Sequence, residues 1–257
     1  MCLKQAIDVT QLKVDPATRQ LITASAPRKI SDFDKNALEE AIRIKEKVSG
    51  VEIFTVTVTS EDAKTVLREA LAMGADKGYV IQDANFQNID TSGTASVLAQ
   101  AIRKIGEFDL IICGETSLDS FSGLVSAKLA ELLSLPQITS VRQLSVEDDI
   151  VTAERALEDA YETVRAKTPA LASVTREINQ PRIPSLMMIM KASKKEIVAW
   201  TAADLNIPKD KLDSKIEIIE VLAPKMERKK IMITGENVQE IADKLAKALI
   251  QEGIVGR

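Results

Sequence analysis

From residue 32 to residue 136 the chain alternates between stretches with helical spacing and short apolar or β-branched runs. "DFDKNALEEAIRIKEKVSG" sets Ala37, Leu38, Ala41, Ile42 and Ile44 on one stripe with charges opposite, and ends at Gly50. "VEIFTVTVT" then reads as a buried strand. "SEDAKTVLREALAMGAD" opens on Ser60 as an N-cap, turns Val66, Leu67, Leu71 and Met73 inward and stops at Gly74. "KGYVIQD" reads as a strand, "TSGTASVLAQAIRKIG" as a helix, "FDLIICGE" as a continuous apolar strand, and "SGLVSAKLAELLSLP" as a helix halted near Pro136. Parallel strands rejoin only through crossovers, and strands apolar on both faces need helices on both. The pattern therefore predicts an α/β fold, a doubly wound, mostly parallel sheet.

After residue 140 the pattern changes to short strands and turns, read as an antiparallel extension of the sheet, with Asp148 and Asp149 in a solvated turn. Residues 204–230 are charged and read as an extended arm, and "TGENVQEIADKLAKALIQEG" as a closing amphipathic helix. The expected organisation is a domain over residues 1–200 and a tail over 201–257.

Two absences narrow the chemistry. The 257 residues include no histidine, and Cys2 and Cys113 are the only thiols. The commonest general base and metal ligand is missing, so hydrolase and metalloenzyme readings lose ground, and no metal or catalytic residue is assigned. Net charge is −4 and no basic stretch is interleaved with aromatics, which argues against nucleic-acid binding. The apolar runs are too short to span a bilayer and no basic-then-apolar leader opens the chain, so the expectation is a cytoplasmic or mature organellar protein without membrane insertion.

Parallel sheets bind ligands at the carboxyl ends of their strands. There "GETSLDSFSGL" runs from Gly114 into a helix; Ser120, Ser122 and Gly123 either receive a phosphate at its N-terminus, or Ser122 simply caps it. In "SDFDKNALEE", Asp32 and Asp34 either cap the next helix or face a ligand, and Phe33 can pack on a ring. "VTSEDA", from Val58, ends another strand at the same edge. Neither a Walker A motif nor GxGxxG is present. "PSLMMIMKASKKE" sets Leu186, Met187, Met188, Ile189 and Met190 before Lys191, Lys194 and Lys195. It reads either as a buried strand or as an adaptable docking surface with a solvated lysine rim.

"LKQAID", "DFDKNALEEAIRIKE", "REALAMGAD", "DLIICGETSLDSFSG", "LAELLSLPQIT" and "EINQPRIPSLMMIMKASKKEI" stand in the order and spacing of the electron transfer flavoprotein beta subunit family. The chain resembles that family over nearly its whole length, most specifically where "NQPR" leads into "IMKASKK". The resemblance implies an adenine-nucleotide-binding, Rossmann-like fold and a heterodimer carrying electrons from acyl-CoA-type or other dehydrogenases to an acceptor. It implies an FAD held chiefly by the alpha subunit and an AMP, or in bifurcating members a second FAD, held here. Position by position, the implied nucleotide site is Cys2, Ser31, Asp32, Phe33, Asp34, Val58, Gly114, Glu115, Thr116, Ser117, Leu118, Asp119, Ser120, Phe121, Ser122, Gly123, Leu124 and Val125, with Phe33 toward the flavin. The implied recognition loop spans about 182–195, with Leu186 entering a dehydrogenase pocket beside Met187 and Met188, and the arm and last helix pack on the alpha subunit.

Departures from the family pattern sharpen these expectations. Family members usually have several strand residues before this point and only Met1 precedes Cys2, so the expectation is either a short first strand or a start that lies further upstream. Val9 stands where some members have a tyrosine near the flavin, and Ala156, after Arg155, where many have a glutamate. "ETSLDSFSG" lacks the usual basic residue, which leaves phosphate binding to backbone N–H groups, Ser120 and Ser122. A competing class, an ATP-cleaving adenine-nucleotide-dependent α/β enzyme, would need the Walker lysine that is missing.

Overall fold

The computed structural model describes residues 1–225 and 229–255. Its strands and helices run β1 Gln5–Ile7, β2 Lys13–Val14, β3 Leu21–Ile22, β4 Arg28–Ile30, α1 Asp32–Lys47, β5 Phe54–Thr59, α2 Lys64–Met73, β6 Lys77–Gln82, α3 Thr91–Ile105, β7 Leu110–Gly114 and α4 Val125–Leu133. They continue β8 Gln137–Glu147, β9 Ile150–Ala156, β10 Tyr161–Lys167, β11 Ala170–Val174, α5 Leu186–Ala192, β12 Ile197–Trp200 and α6 Val238–Gln251.

One ladder runs β12-β6-β5, all parallel, with Val56 opposite Tyr79 and Tyr79 opposite Val198. Another runs β10-β9-β8-β11-β7, parallel from β8 to β7 and antiparallel beyond. Met1–Leu3 fills the seam between them. Cys2 forms a parallel bridge with Val56, the Leu3 N–H donates to Val56 O at 2.9 Å, and the Cys2 N–H donates to Ile112 O at 3.2 Å. This short N-terminal segment, ahead of β1, thus bridges the two ladders.

Strand residues alternate between two cores. Ile112, Ala170, Ala172 and Val174 pack with α1 and α2, whereas Ile111, Cys113 and Leu171 pack with α3 and α4. Helices on both faces of a largely parallel sheet make the doubly wound fold that the alternation predicts. Val66, Leu67, Leu71 and Met73 are buried as expected, and α2 stops at Gly74, whose φ of 151° suits glycine.

Several boundaries differ from the sequence reading. Ser60 does not cap α2; Asp62 accepts from the Lys64 N–H at 3.0 Å and the helix begins there. The strands after residue 140 are long, β8 reaching 11 residues, because each hairpin neighbour extends the ladder. The polar face of α1 is not solvated throughout: Glu39 and Glu40 are buried because residues 176–182 lie across it. Residues 184–196 form no buried strand but the short helix α5, of which only Ala192 is buried. The arm expected over 204–230 includes residues 226–228, which lie outside the described set. Its described part has no strand or α-helix beyond one bridge, Gln20 to Leu222, and α6 buries no residue.

Candidate functional site

From the central strand at Met1–Leu3 the chain winds outward one way through β5 and β6, and the other way to β7. The carboxyl ends of β5 and β7 therefore flank a topological switch point, where open α/β sheets leave a crevice. Five polar side chains tie its walls together. Asp34, buried in the first turn of α1, accepts the Lys4 N–H at 2.8 Å and the Gly114 N–H at 2.9 Å. Gly114 has to be glycine for this contact: a Cβ there would sit 2.6 Å from Asp34 Oδ1 and 2.8 Å from the Phe33 carbonyl carbon. Lys4 then reaches the loop, its Nζ donating to Asp119 Oδ1 at 2.6 Å, Ser117 Oγ at 3.1 Å and Ser120 Oγ at 3.1 Å. The cation that the loop sequence lacks arrives from the first strand. Sequence reasoning missed Lys4, although a loop carrying Asp119 and no basic residue of its own was a signal to look for one.

The site residues separate by environment. Ser31 precedes α1 but makes no capping bond; its hydroxyl, like that of Thr116, is buried without a partner. Asp32 and Asp34 do not cap α1 with their side chains: Asp32 pairs with Lys29 at 3.0 Å, and Asp34 turns inward as described. Phe33 is buried, with the Arg176 guanidinium 5.9 Å from its ring centre, so the protein itself covers much of the ring. Val58 lies half-buried at the end of β5. Cys2 is buried too, its thiol hydrogen-bonded to that of Cys113; that bond and burial together push Cys113 well above the usual thiol range.

Within the loop, Glu115 accepts from Ser140 Oγ at 2.7 Å and its N–H donates to Val174 O, which seats the loop on β11. Ser117 is buried, Leu118 and Asp119 half-buried, and Ser120 through Leu124 exposed. Ser122 does not cap α4. The helix starts at Val125 behind Leu124, with no side-chain cap, so Ser122 stands free on the loop beside Gly123, whose φ is 62°. Phe121, at φ 48° and 70% exposed, forms an apolar tip. On the far side of Asp119 a cavity of about 550 Å³ is lined by Ile7, Val9, Leu21 and, from the arm, Ile219 and Val221.

Burial pushes the Asp34 carboxyl up to about 7, against the two N–H bonds that favour its charge. A carboxyl raised on folding stabilises the native state below its ordinary range, and that contribution is lost as pH rises through the folded value. With no histidine to titrate nearby, urea unfolding followed by Trp200 fluorescence should show stability falling by about 2 kcal/mol between about pH 5.5 and about pH 8. Stability that is flat or rising over that window would refute the assignment.

A second feature lies apart from the crevice. Helix α5 is capped by Ser185, whose Oγ accepts the Met188 N–H, and it holds Leu186, Met187, Ile189 and Met190 exposed, with Met188 half-buried. Met190 does not face inward. Lys191 and Lys194 are solvated as expected, but Lys195 is not part of a rim: its Nζ donates to Leu71 O at 3.1 Å and Ala75 O at 2.5 Å.

A largely parallel, doubly wound sheet with a crevice at its switch point places the chain among Rossmann-like α/β folds. The electron transfer flavoprotein domain family matches residues 5–205. The electron transfer flavoprotein subunit beta of Thermoanaerobacterium thermosaccharolyticum is 39% identical over 257 residues, covering 98% of each chain. That of Megasphaera elsdenii is 33% identical, covering 99% of this chain and 98% of the relative. The Caffeyl-CoA reductase-Etf complex subunit CarD of Acetobacterium woodii is 32% identical, with the same coverage. The chain belongs to the electron transfer flavoprotein family and is similar throughout to its beta subunits, which makes it an electron-transport component. No helix among the described residues is long and apolar enough to cross a membrane.

Proposed function

We propose that this chain is the beta subunit of a cytoplasmic heterodimer, holding AMP in the crevice between Ser31, Val58 and the loop from Gly114 to Val125. It helps enclose an FAD carried mainly by an alpha subunit and offers α5 to acyl-CoA-type or other dehydrogenases. The observation that carries the nucleotide reading is the pair of buried hydroxyls, on Ser31 and Thr116, that have no protein partner at the switch point while Asp34, Asp119 and Ser117 beside them are all satisfied. Buried hydroxyls ordinarily have a partner, and an adenosine phosphate supplies acceptors of the right kind.

In this reading FAD, when bound, supplies the electron chemistry, and the chain supplies its placement. Lys4 and Asp34 hold the loop in one arrangement through their bonds to Asp119, Ser117, Ser120 and Gly114. Residues 1–200 form the nucleotide domain, and the arm and α6 over 201–257 cover the alpha subunit with Ile218, Ile219, Met232 and Leu245, which are exposed here. A second FAD in place of AMP is favoured by one feature, the exposed apolar tip of Phe121 and Leu124, which a larger ring system would cover.

Co-producing the chain with its alpha subunit, denaturing the purified heterodimer and counting released nucleotides tests both. One FAD and one AMP per heterodimer is the expected result. Two FAD and no AMP would replace the first reading by the second, and one FAD alone would remove the nucleotide site altogether.

A further inference from the structure

The exposed helix α5 is held at both ends by basic side chains that none of the functional readings uses. At its N-terminal end the Arg182 guanidinium grips Glu39 with Nε to Oε2 at 2.8 Å and Nη2 to Oε1 at 3.1 Å, and reaches Glu46 with Nη1 at 2.6 Å. Glu39 is only 3% exposed, and it also accepts the Arg182 backbone N–H. Beside this pair, Asn36 and Asn179 exchange bonds: Asn36 Nδ2 donates to Asn179 O at 2.6 Å, and Asn179 Nδ2 donates to Asn36 O at 3.0 Å. At the other end two helices close each other's C-termini. Arg68 of α2 donates from Nη1 to Ala192 O and Lys195 O, both at 2.7 Å, while Lys195 donates to Leu71 O and Ala75 O at the end of α2. Cations at helix C-termini satisfy carbonyls that have no helical partner and oppose the helix dipole.

Such bracing is not needed for burial, since α5 buries only Ala192. A seven-residue helix has no independent stability in water, so its geometry is set by what holds its ends. We propose that Arg182 and Arg68 are positioning residues for partner docking, fixing the ends of segment 183–192 so that Leu186 and its neighbours meet the dehydrogenase already ordered. The inference rests on the docking reading of α5. A pre-ordered anchor lowers the entropic cost of association, so loosening either end weakens docking without touching the contact itself.

The test uses the holo-heterodimer and an acyl-CoA dehydrogenase that reduces the wild type. Arg182→Gln and Arg68→Gln should each raise the KM for the heterodimer about fivefold to twentyfold with kcat within about twofold, and Arg182→Lys should recover part of the loss. Amides 186–192 should exchange at least about tenfold faster while those of α3 and α4, and the flavin and AMP content, stay unchanged. Should Arg182→Gln fail to assemble because buried Glu39 loses its two-pronged partner and keeps only Arg43, whose Nε donates to Oε1 at 3.0 Å, Arg68→Gln and Arg182→Lys carry the test, since both keep a cation at residue 182. Leu186→Ala separates the two readings. If it leaves KM unchanged, docking through α5 fails and the inference with it; if it raises KM while the arginine variants leave KM or amide exchange at wild-type values, only the positioning role is overturned.

Discussion

Gly114→Ala is expected to destabilise the chain by roughly 3 kcal/mol and to reduce bound nucleotide by at least about tenfold. Elsewhere in a strand alanine would be neutral or mildly stabilising, because glycine loses more backbone freedom on folding. Here the added methyl meets Asp34 Oδ1 at 2.6 Å, Phe33 Cβ at 2.7 Å and the Phe33 carbonyl carbon at 2.8 Å. Two of those atoms belong to the backbone or its first side-chain carbon, so no rotamer change relieves the contact, and the first turn of α1 has to move. Movement breaks the Asp34 bond to the Gly114 N–H and loosens the start of the loop. Gly78→Ala is the internal control: its methyl would meet Leu67, Ile197 and Thr55 side chains at 3.5–3.6 Å, ordinary contact, and little change is expected. Urea midpoints for both variants, with nucleotide counts for the heterodimers, decide the matter. A Gly114→Ala protein as stable and as loaded as wild type would remove the close approach of α1 from the account of the site.

How much of this was legible beforehand depended on whether a residue's role was local. The alternation of helical and apolar segments located the helices and strands of the first two thirds, because apolar periodicity is set by which face is buried, and doubly wound burial leaves it visible. Caps were less legible. Ser60 and Ser122 have the right residue type, but the chain begins its helices three or four residues later, at Lys64 and Val125, where tertiary contacts of the preceding loop permit. The apolar stretch 186–190 was ambiguous because five apolar residues fit a strand or an exposed surface equally; only the coordinates show that, among the described residues, nothing covers Leu186, Met187, Ile189 and Met190. Lys4, Glu39, Arg68 and Arg182 were invisible for a different reason. Each acts on a residue far away in sequence, 113 positions for Lys4 and Ser117, 143 for Arg182 and Glu39, and charge alone does not reveal the partner.

Leu186→Ala should raise the KM of the heterodimer for its dehydrogenase by roughly thirtyfold, the cost of losing about 2 kcal/mol of buried leucine from a small interface. The side chain is 74% exposed in the free chain, so its truncation removes almost no packing here, and melting temperature, flavin and AMP content should all stay at wild-type values. That separation is the point of the experiment: a residue whose only contacts are made in a complex changes association and nothing else. Met187 and Met190, at 66% and 64% exposed, provide the contrast. Their unbranched side chains adapt to the surface they meet, and alanine at either is expected to cost less than about fivefold. An interface built this way stays weak enough to release its partner quickly, as an electron carrier requires, while one anchor still fixes the docking position. Saturation kinetics with increasing heterodimer, alongside calorimetric titration of the same dehydrogenase, measures both terms. Equal losses at all three positions would describe a diffuse apolar patch instead of an anchor, and a wild-type KM for Leu186→Ala would take α5 out of the docking surface.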